Sequence, residues 1–298
     1  MFANLAVAAL LAANASDPAT IGVKNSAEPS ALLETCGGKY GWQDPAPPVH
    51  IYGDTYYIGS CGISSLLIVS RAGDILIDGG TETNAKSVAA NIERLGYRLS
   101  DVKYILNSHE HYDHTGAIKE LQSLTGAKVI ALNVSAPMLE AGHSFRDDPQ
   151  LELLKTFPPI HVDHTIRDGE TVRLGGLKLT AHSTPAHSPG STSWTWRSCE
   201  AGKCLRMGYA DSVTIPVDKD YRLADHPEHV AQFRAALKTI AALPCDLLMT
   251  PHPDISNLFE RLAGHAALID DKACAAYAKR GEGNLEAELT KEQVPAAK

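Results

Sequence analysis

Residues Ser108 to Gly116 read SHEHYDHTG, with three histidines and an aspartate inside six consecutive positions. This stretch constrains the fold more than any other in the chain. Side chains two apart on an extended segment point the same way, so His109 and His111 can grip one metal ion. Where the chain then turns toward a helix, Asp113 and His114 can face a second ion. Imidazole and carboxylate are the ligands zinc takes in hydrolytic sites, which keep a position open for water. Each ion still lacks a ligand. Two more histidines stand at strand ends beside prolines, His187 in TPAHSPGS and His252 in LLMTPHPD. Adding them gives His109, His111 and His187 for one metal and Asp113, His114 and His252 for the other.

The flanking sequence reads as strands and helices in groups. IYGDTYYIG, SSLLIVS and GDILIDGG are short β-favouring runs with Gly and Asp turn signals, as in an antiparallel meander. Val88, Ile92 and Leu95 recur at helical spacing before Gly96, and a strand over Lys103 to Leu106 runs into the histidine cluster. KVIALNV, a helix near Ser135 to Ala141 and an irregular segment from Gly142 to Pro159 follow; the irregular segment is a candidate active-site loop. Two hairpins come next, one turning at Gly175-Gly176 and one whose tip carries Cys199 and Cys204. A helix from Pro227 to Leu243 and the strand DLLMT lead to His252. Strands grouped with helices, without strict βαβ alternation, point to a sandwich of two mixed sheets covered by helices.

Composition narrows the function. With 27 basic against 35 acidic residues and a formal charge of −8, the chain offers no Lys/Arg cluster for nucleic acid. The opening MFANLAVAALLAANAS has an apolar run and small residues at Ala13-Asn14-Ala15, so residues 1–15 read as a signal peptide cut near Ser16. The run is too short to span a bilayer, and no stable membrane association is expected after cleavage. Six cysteines and no CxxC pair fit an exported, disulfide-bonded protein, periplasmic or secreted. They allow many pairings, of which nearest-neighbour pairing, Cys36 with Cys61, Cys199 with Cys204 and Cys245 with Cys274, closes three modest loops. The expected layout is an N-terminal arm over 16–48, one domain over 49–281 and a flexible polar tail over 282–298.

HEHYDH resembles the H-x-H-x-D-H signature of the metallo-β-lactamase superfamily, and ILIDGG, TPAHSPGS and TPHP resemble its other ordered motifs. The resemblance runs from about Val49 to Cys274. It implies an αββα sandwich, two mixed β-sheets flanked by helices, with two zinc ions per chain at one edge. Among the branches of the superfamily, flavodiiron-type sites put a carboxylate where His111 stands, and the nucleases need basic surfaces. Thioester hydrolases and lactonases carry a bridging aspartate in the region of GYADSVT, where Asp211 could serve. The similar YADS pattern of subclass B3 β-lactamases instead puts Ser212 at the metal-facing position and Asp211 behind it. The B1 pattern would place a Cys near Ser212 and the B2 pattern an Asn at 109; neither is present. The six-cysteine pattern resembles the three-disulfide branch of B3.

The resemblance therefore implies a zinc-dependent hydrolase that opens the β-lactam amide of penicillins, cephalosporins and carbapenems with a metal-bound hydroxide, conferring antibiotic resistance. Asp113 would be both ligand and catalytic residue, orienting the hydroxide. Ser212 and Thr214, with Gln150 from the irregular loop, are the expected substrate contacts, and Trp42 is a candidate wall of the cleft. The expected partner is a small-molecule β-lactam, and the expected state a monomer. A binuclear zinc thioester or lactone hydrolase on the same fold is the alternative, and the Asp211-Ser212 register is what separates the two.

Overall fold

Alternation along the first strands decides the layers. Leu66, Ile68, Ile75 and Ile77 face one core, while Leu67 and Leu76 face another, as neighbours on a pleated strand must. A sheet apolar on both faces has to be covered on both. The computed structural model describes residues 25–293, so the expected signal segment lies outside the described residues.

The first sheet holds seven strands in sequential order: β1 (Val49–Tyr52), β2 (Thr55–Tyr57), β3 (Leu66–Ile68), β4 (Asp74–Ile77), β5 (Val102–Leu106), β6 (Lys128–Leu132) and β7 (His164–Ile166). β1 to β4 pair antiparallel, and β4 to β7 pair parallel. The second sheet is ordered β12-β11-β10-β9-β8, formed by β8 (Thr171–Leu174), β9 (Leu177–Ser183), β10 (Thr192–Glu200), β11 (Lys203–Tyr209) and β12 (Leu247–Met249). Only β11 and β12 pair parallel within it; both sheets are therefore mixed. Trp194, Met207, Tyr209 and Leu179 fill the space between the sheets with the inward residues of β3 to β6.

Helices close the outer faces. α1 (Ser30–Cys36) sits in the N-terminal segment; α2 (Ala85–Arg94), α3 (Tyr112–Thr115), α4 (Ile118–Thr125) and α5 (Ala136–Ala141) follow. Val88, Ile92, Ile118, Leu121 and Leu139 of this group cover the first sheet. α6 (Pro227–Ala241), α7 (Leu258–Leu262) and α8 (Ala273–Gln293) complete the chain, and Phe233, Leu237, Tyr277 and Leu285 cover Leu248 of the second sheet. The αββα architecture expected from the sequence is thus the observed one. Each fully buried Leu, Ile or Phe contributes about 1.5–3 kcal/mol, spread here over three cores.

The three disulfides join Cys36 to Cys61, Cys199 to Cys204 and Cys245 to Cys274, leaving no free cysteine. The described part of the arm is folded onto the domain: α1 buries Leu32, Cys36 ties it to Cys61, and Ala27 bridges to Val49. One expectation about the ends needs correction. The tail expected to fray from 282 is helical as far as Gln293. Leu285 is buried, the Asn284 amide donates to the Val213 carbonyl, and the Glu292 carboxylate accepts from the Leu223 and Ala224 amides. Gly281 is what lets this helix lie close, since a Cβ there would stand 2.8 Å from that of Val213.

Candidate metal centre

The histidine-rich segment leaves the end of β5 and is held by what surrounds it. Trp194 Nε1 donates to the Asn107 carbonyl, and the Thr192 amide to that of Ser108, so β10 pins the segment across the two sheets. On the other side, Asp78 ends β4 in the left-handed region, at φ 60°, and its buried carboxylate accepts from the Ser108 amide, the Ser108 hydroxyl and the Tyr209 hydroxyl. Gly79 and Gly80 amides both donate to the His114 carbonyl. Gly79 packs so closely that a Cβ would meet Leu121 Cδ1 at 2.9 Å. The ILIDGG run is therefore the floor under the ligand segment.

Glu110, between His109 and His111, points away from them and is fully buried. Its carboxylate accepts from the Ser188 hydroxyl and the Gly190 amide, clamping the loop that carries His187. Burial raises its pKa to about 7. Tyr112 turns outward against the helical layer of the first sheet.

The six expected ligand residues come together. Among the described residues two triplets have ligand atoms within 4.8 Å of one another: His109, His111 and His187, and His109, Asp113 and His114. His252 stands beside the second triplet, its Nε2 3.4 Å from Asp113 Oδ2 and its ring 5.1 Å from that of His114. His109 thus reaches both groups, where the sequence reading gave it to the first alone.

Four of the five imidazoles have one nitrogen engaged on the outer side. His109 Nδ1 bonds to Asp211 Oδ1 at 2.8 Å, His111 Nε2 to Asp148 Oδ2 at 2.8 Å, His187 Nδ1 to the Thr214 carbonyl at 3.1 Å, and His252 Nδ1 to the Gly62 carbonyl at 3.0 Å. The exception is His114, whose Nδ1 lies 3.7 Å from Asp78 Oδ2 and is buried without a hydrogen bond. Such acceptors fix the tautomer and leave the opposite nitrogen's lone pair facing inward. His109 Nε2 and His114 Nε2 are buried there without a hydrogen bond, although the latter lies 3.0 Å from Asp113 Oδ2. Inward nitrogens without a protein donor, plus one carboxylate, are a donor set that fits zinc.

Charge follows the same division. Burial, then the neighbouring imidazoles of His114 and His111, push His109 well below the usual histidine range, and burial and His111 push His187 down to about 4. Burial works against Asp113 ionising, but the rings of His114 and His252 outweigh it and hold its carboxyl well below the usual range. Burial likewise opposes charge on His114, yet Asp113 raises it to about 9.

The expected substrate contacts fare differently. β11 stops at Tyr209, so Asp211 to Thr214 do not alternate as strand residues. Thr214 is turned to His187, with its Oγ1 3.0 Å from Nδ1, and Gln150 is buried with its amide donating to the His187 carbonyl at 2.9 Å. Gln150, expected as a substrate contact, is thus tied to the loop that carries His187. Ser212 is almost fully buried beside Asp211. Trp42 is half-exposed, its ring 6.1 Å from that of His252. The sequence reading missed Asp148 as a partner of His111; its only local signal was its place in the irregular loop.

A family model described as "Metallo-beta-lactamase superfamily" matches residues 58–252. Among solved structures, the metallo-β-lactamase MIM-1 of Novosphingobium pentaromativorans is 49% identical with a TM-score of 0.88, covering 90% of this chain and all of that one. MEM-A1, a subclass B3 metallo-β-lactamase from a soil metagenome library, is 43% identical with a TM-score of 0.81, covering 85% of this chain and 98% of that one. A hydroxyacylglutathione hydrolase of Rhodospirillum rubrum is 28% identical over 120 residues, which span 40% of this chain and 38% of that protein's length.

Proposed function

The chain belongs to the metallo-beta-lactamase superfamily, and from that premise we propose that it hydrolyses the amide bond of β-lactam antibiotics, as a subclass B3-type enzyme with two zinc ions. His109, His111 and His187 would hold one ion and Asp113, His114 and His252 the other. Bound zinc supplies Lewis acidity, which polarises a carbonyl, stabilises a departing nitrogen and brings the pKa of a bound water to about 7.

The protein's own residues do the rest. Asp113, kept ionised by the imidazoles around it, would orient the attacking water. Asp211, Asp148, Thr214 and Gly62 hold the rings so that no side chain has to reorganise during the reaction. Ser212 and the Thr214 hydroxyl are the donors we assign to the substrate carboxylate. Trp42 walls the cleft beside His252. Export to the periplasm, antibiotic resistance and action as a monomer belong to the same proposal; the three disulfides support export.

One observation carries the choice of substrate. The Asp211 carboxylate lies on the outer nitrogen of His109, 2.8 Å from Nδ1, on the side of the ring away from the inward Nε2. That engagement of Oδ1 favours the lactam reading over the thioester and lactone reading, in which this carboxylate bridges two metals. The hydroxyacylglutathione hydrolase likeness is what favours that second reading.

The test uses the mature, zinc-loaded protein with a carbapenem and a cephalosporin, following loss of the lactam absorbance. Ring opening should stop with a chelator and return with zinc, and His187→Ala should collapse it. Turnover that survives the chelator or the substitution would overturn the ligand assignment.

A further inference from the structure

Resting on that ligand assignment, we propose that the irregular loop over 142–159 builds the first metal site and not the second, with Asp148 and Gln150 as positioning residues for His111 and His187. Asp148 Oδ2 accepts from His111 Nε2 at 2.8 Å, so the proton sits on Nε2 and the Nδ1 lone pair is the one offered inward. Two bonds hold that carboxylate: the Ser144 hydroxyl donates to Oδ2 at 2.7 Å and the Gln150 amide N–H to Oδ1 at 2.9 Å. Two residues on, the Gln150 side chain donates to the His187 carbonyl.

The loop is itself braced from the segment after β11. The Asp218 amide donates to the Pro149 carbonyl at 2.7 Å, and Asp218 Oδ2 accepts from the Glu152 amide at 2.9 Å. Phe157, buried under the first sheet's helices, anchors the far end. The other ligand group takes its outer partners elsewhere: Asp78 lies by His114, and the Gly62 carbonyl accepts from His252. The loop therefore acts on one metal only. Without Asp148, the His111 N–H is left buried with no acceptor, and the ring is free to turn its lone pair away from the site.

The experiment measures zinc retained per chain by atomic emission as a chelator is raised, for the zinc-loaded parent, D148A, D148N, Gln150→Leu, His111→Ala and His252→Ala. D148A should release one zinc at a chelator activity about 10- to 100-fold lower than the parent and keep the other, the range found for outer partners of metal ligands. D148N, which keeps an acceptor oxygen without the charge, should lose less, and Gln150→Leu should weaken the same zinc. His111→Ala combined with D148A should lose no more than His111→Ala alone, whereas His252→Ala with D148A should lose both zincs.

A merely structural role would loosen both zincs together in D148A, and that result overturns the proposal. Parent-like retention in D148A, with one zinc lost in His111→Ala, overturns it while leaving the ligand assignment standing. Two zincs retained in His111→Ala would bring down the assignment itself. Should D148A fail to fold, D148N and Gln150→Leu decide, and parent-like retention in both refutes the idea.

Discussion

Replacing Asp78 by Ala removes the acceptor on which three buried donors converge. The Ser108 amide, the Ser108 hydroxyl and the Tyr209 hydroxyl all reach it at 2.7 Å. Each orphaned donor costs about 1–3 kcal/mol, so the upper bound is roughly 9. That bound is reduced because a carboxylate whose burial raises its pKa to about 6 no longer has to be kept charged in the interior. The expected loss is about 3–5 kcal/mol, the range for breaking a buried charged network. In a chain of this size that lowers Tm by about 6–20 °C. Urea unfolding of the zinc-free, disulfide-intact protein gives the free energy directly. Tyr209→Phe alone should cost about 1 kcal/mol, and the double variant should cost less than the sum by about that amount, because the orphaned hydroxyl is gone. A loss under about 1 kcal/mol for Asp78→Ala, or strict additivity of the pair, would refute this account of the floor.

Other consequences are as definite. Leu285→Ala should destabilise the protein by about 2–5 kcal/mol in the same unfolding assay, since Leu285 is fully buried in a helix that the sequence alone reads as tail; a neutral effect would mean the helix is dispensable. Gly190→Ala puts a methyl group against the Glu110 carboxylate and 2.9 Å from Ser135 Cβ, and should cost about 1–3 kcal/mol and weaken zinc binding through His187; unchanged zinc retention would count against the clamp. In the metal-free protein His114 is protonated up to about 9, above its ordinary 6.5, so its stabilising pairing with Asp113 is full below 6.5 and lost as pH rises through 9. Zinc needs the neutral ring, so its affinity should rise about tenfold per pH unit across that window, with a proton released, as read by calorimetry in two buffers. A flat affinity would show that no such proton is displaced.

Much of the architecture was legible because its signals are local. Leu66 to Ile68 and Val88-Ile92-Leu95 declare their periods within a few residues, and HEHYDH carries four of the six proposed ligand residues in one short stretch of chain. Cys36, Cys199 and Cys245 each pair with the next cysteine along. What stayed hidden depends on distant partners. Nothing near His111 indicates Asp148, 37 residues on, and nothing near His252 indicates Gly62, 190 residues back. Thr214 lies past the end of β11, and only the folded chain shows its side chain turned to His187. The final helix was illegible for a similar reason. Gly281 and Gly283 weaken its intrinsic propensity, and only the close approach to Val213 and Leu237 explains why a glycine there stabilises the packing.

The central claim is that the centre serves β-lactams rather than thioesters, and the kcat/KM ratio for the two tests it most directly. The mature zinc-loaded protein would be given a carbapenem and an S-acyl glutathione under one set of conditions, with a chelated control. A ratio of at least about a hundred in favour of the lactam is expected, a difference in transition-state binding of at least about 2.7 kcal/mol. Faster thioester cleavage with no opening of the lactam ring would contradict it.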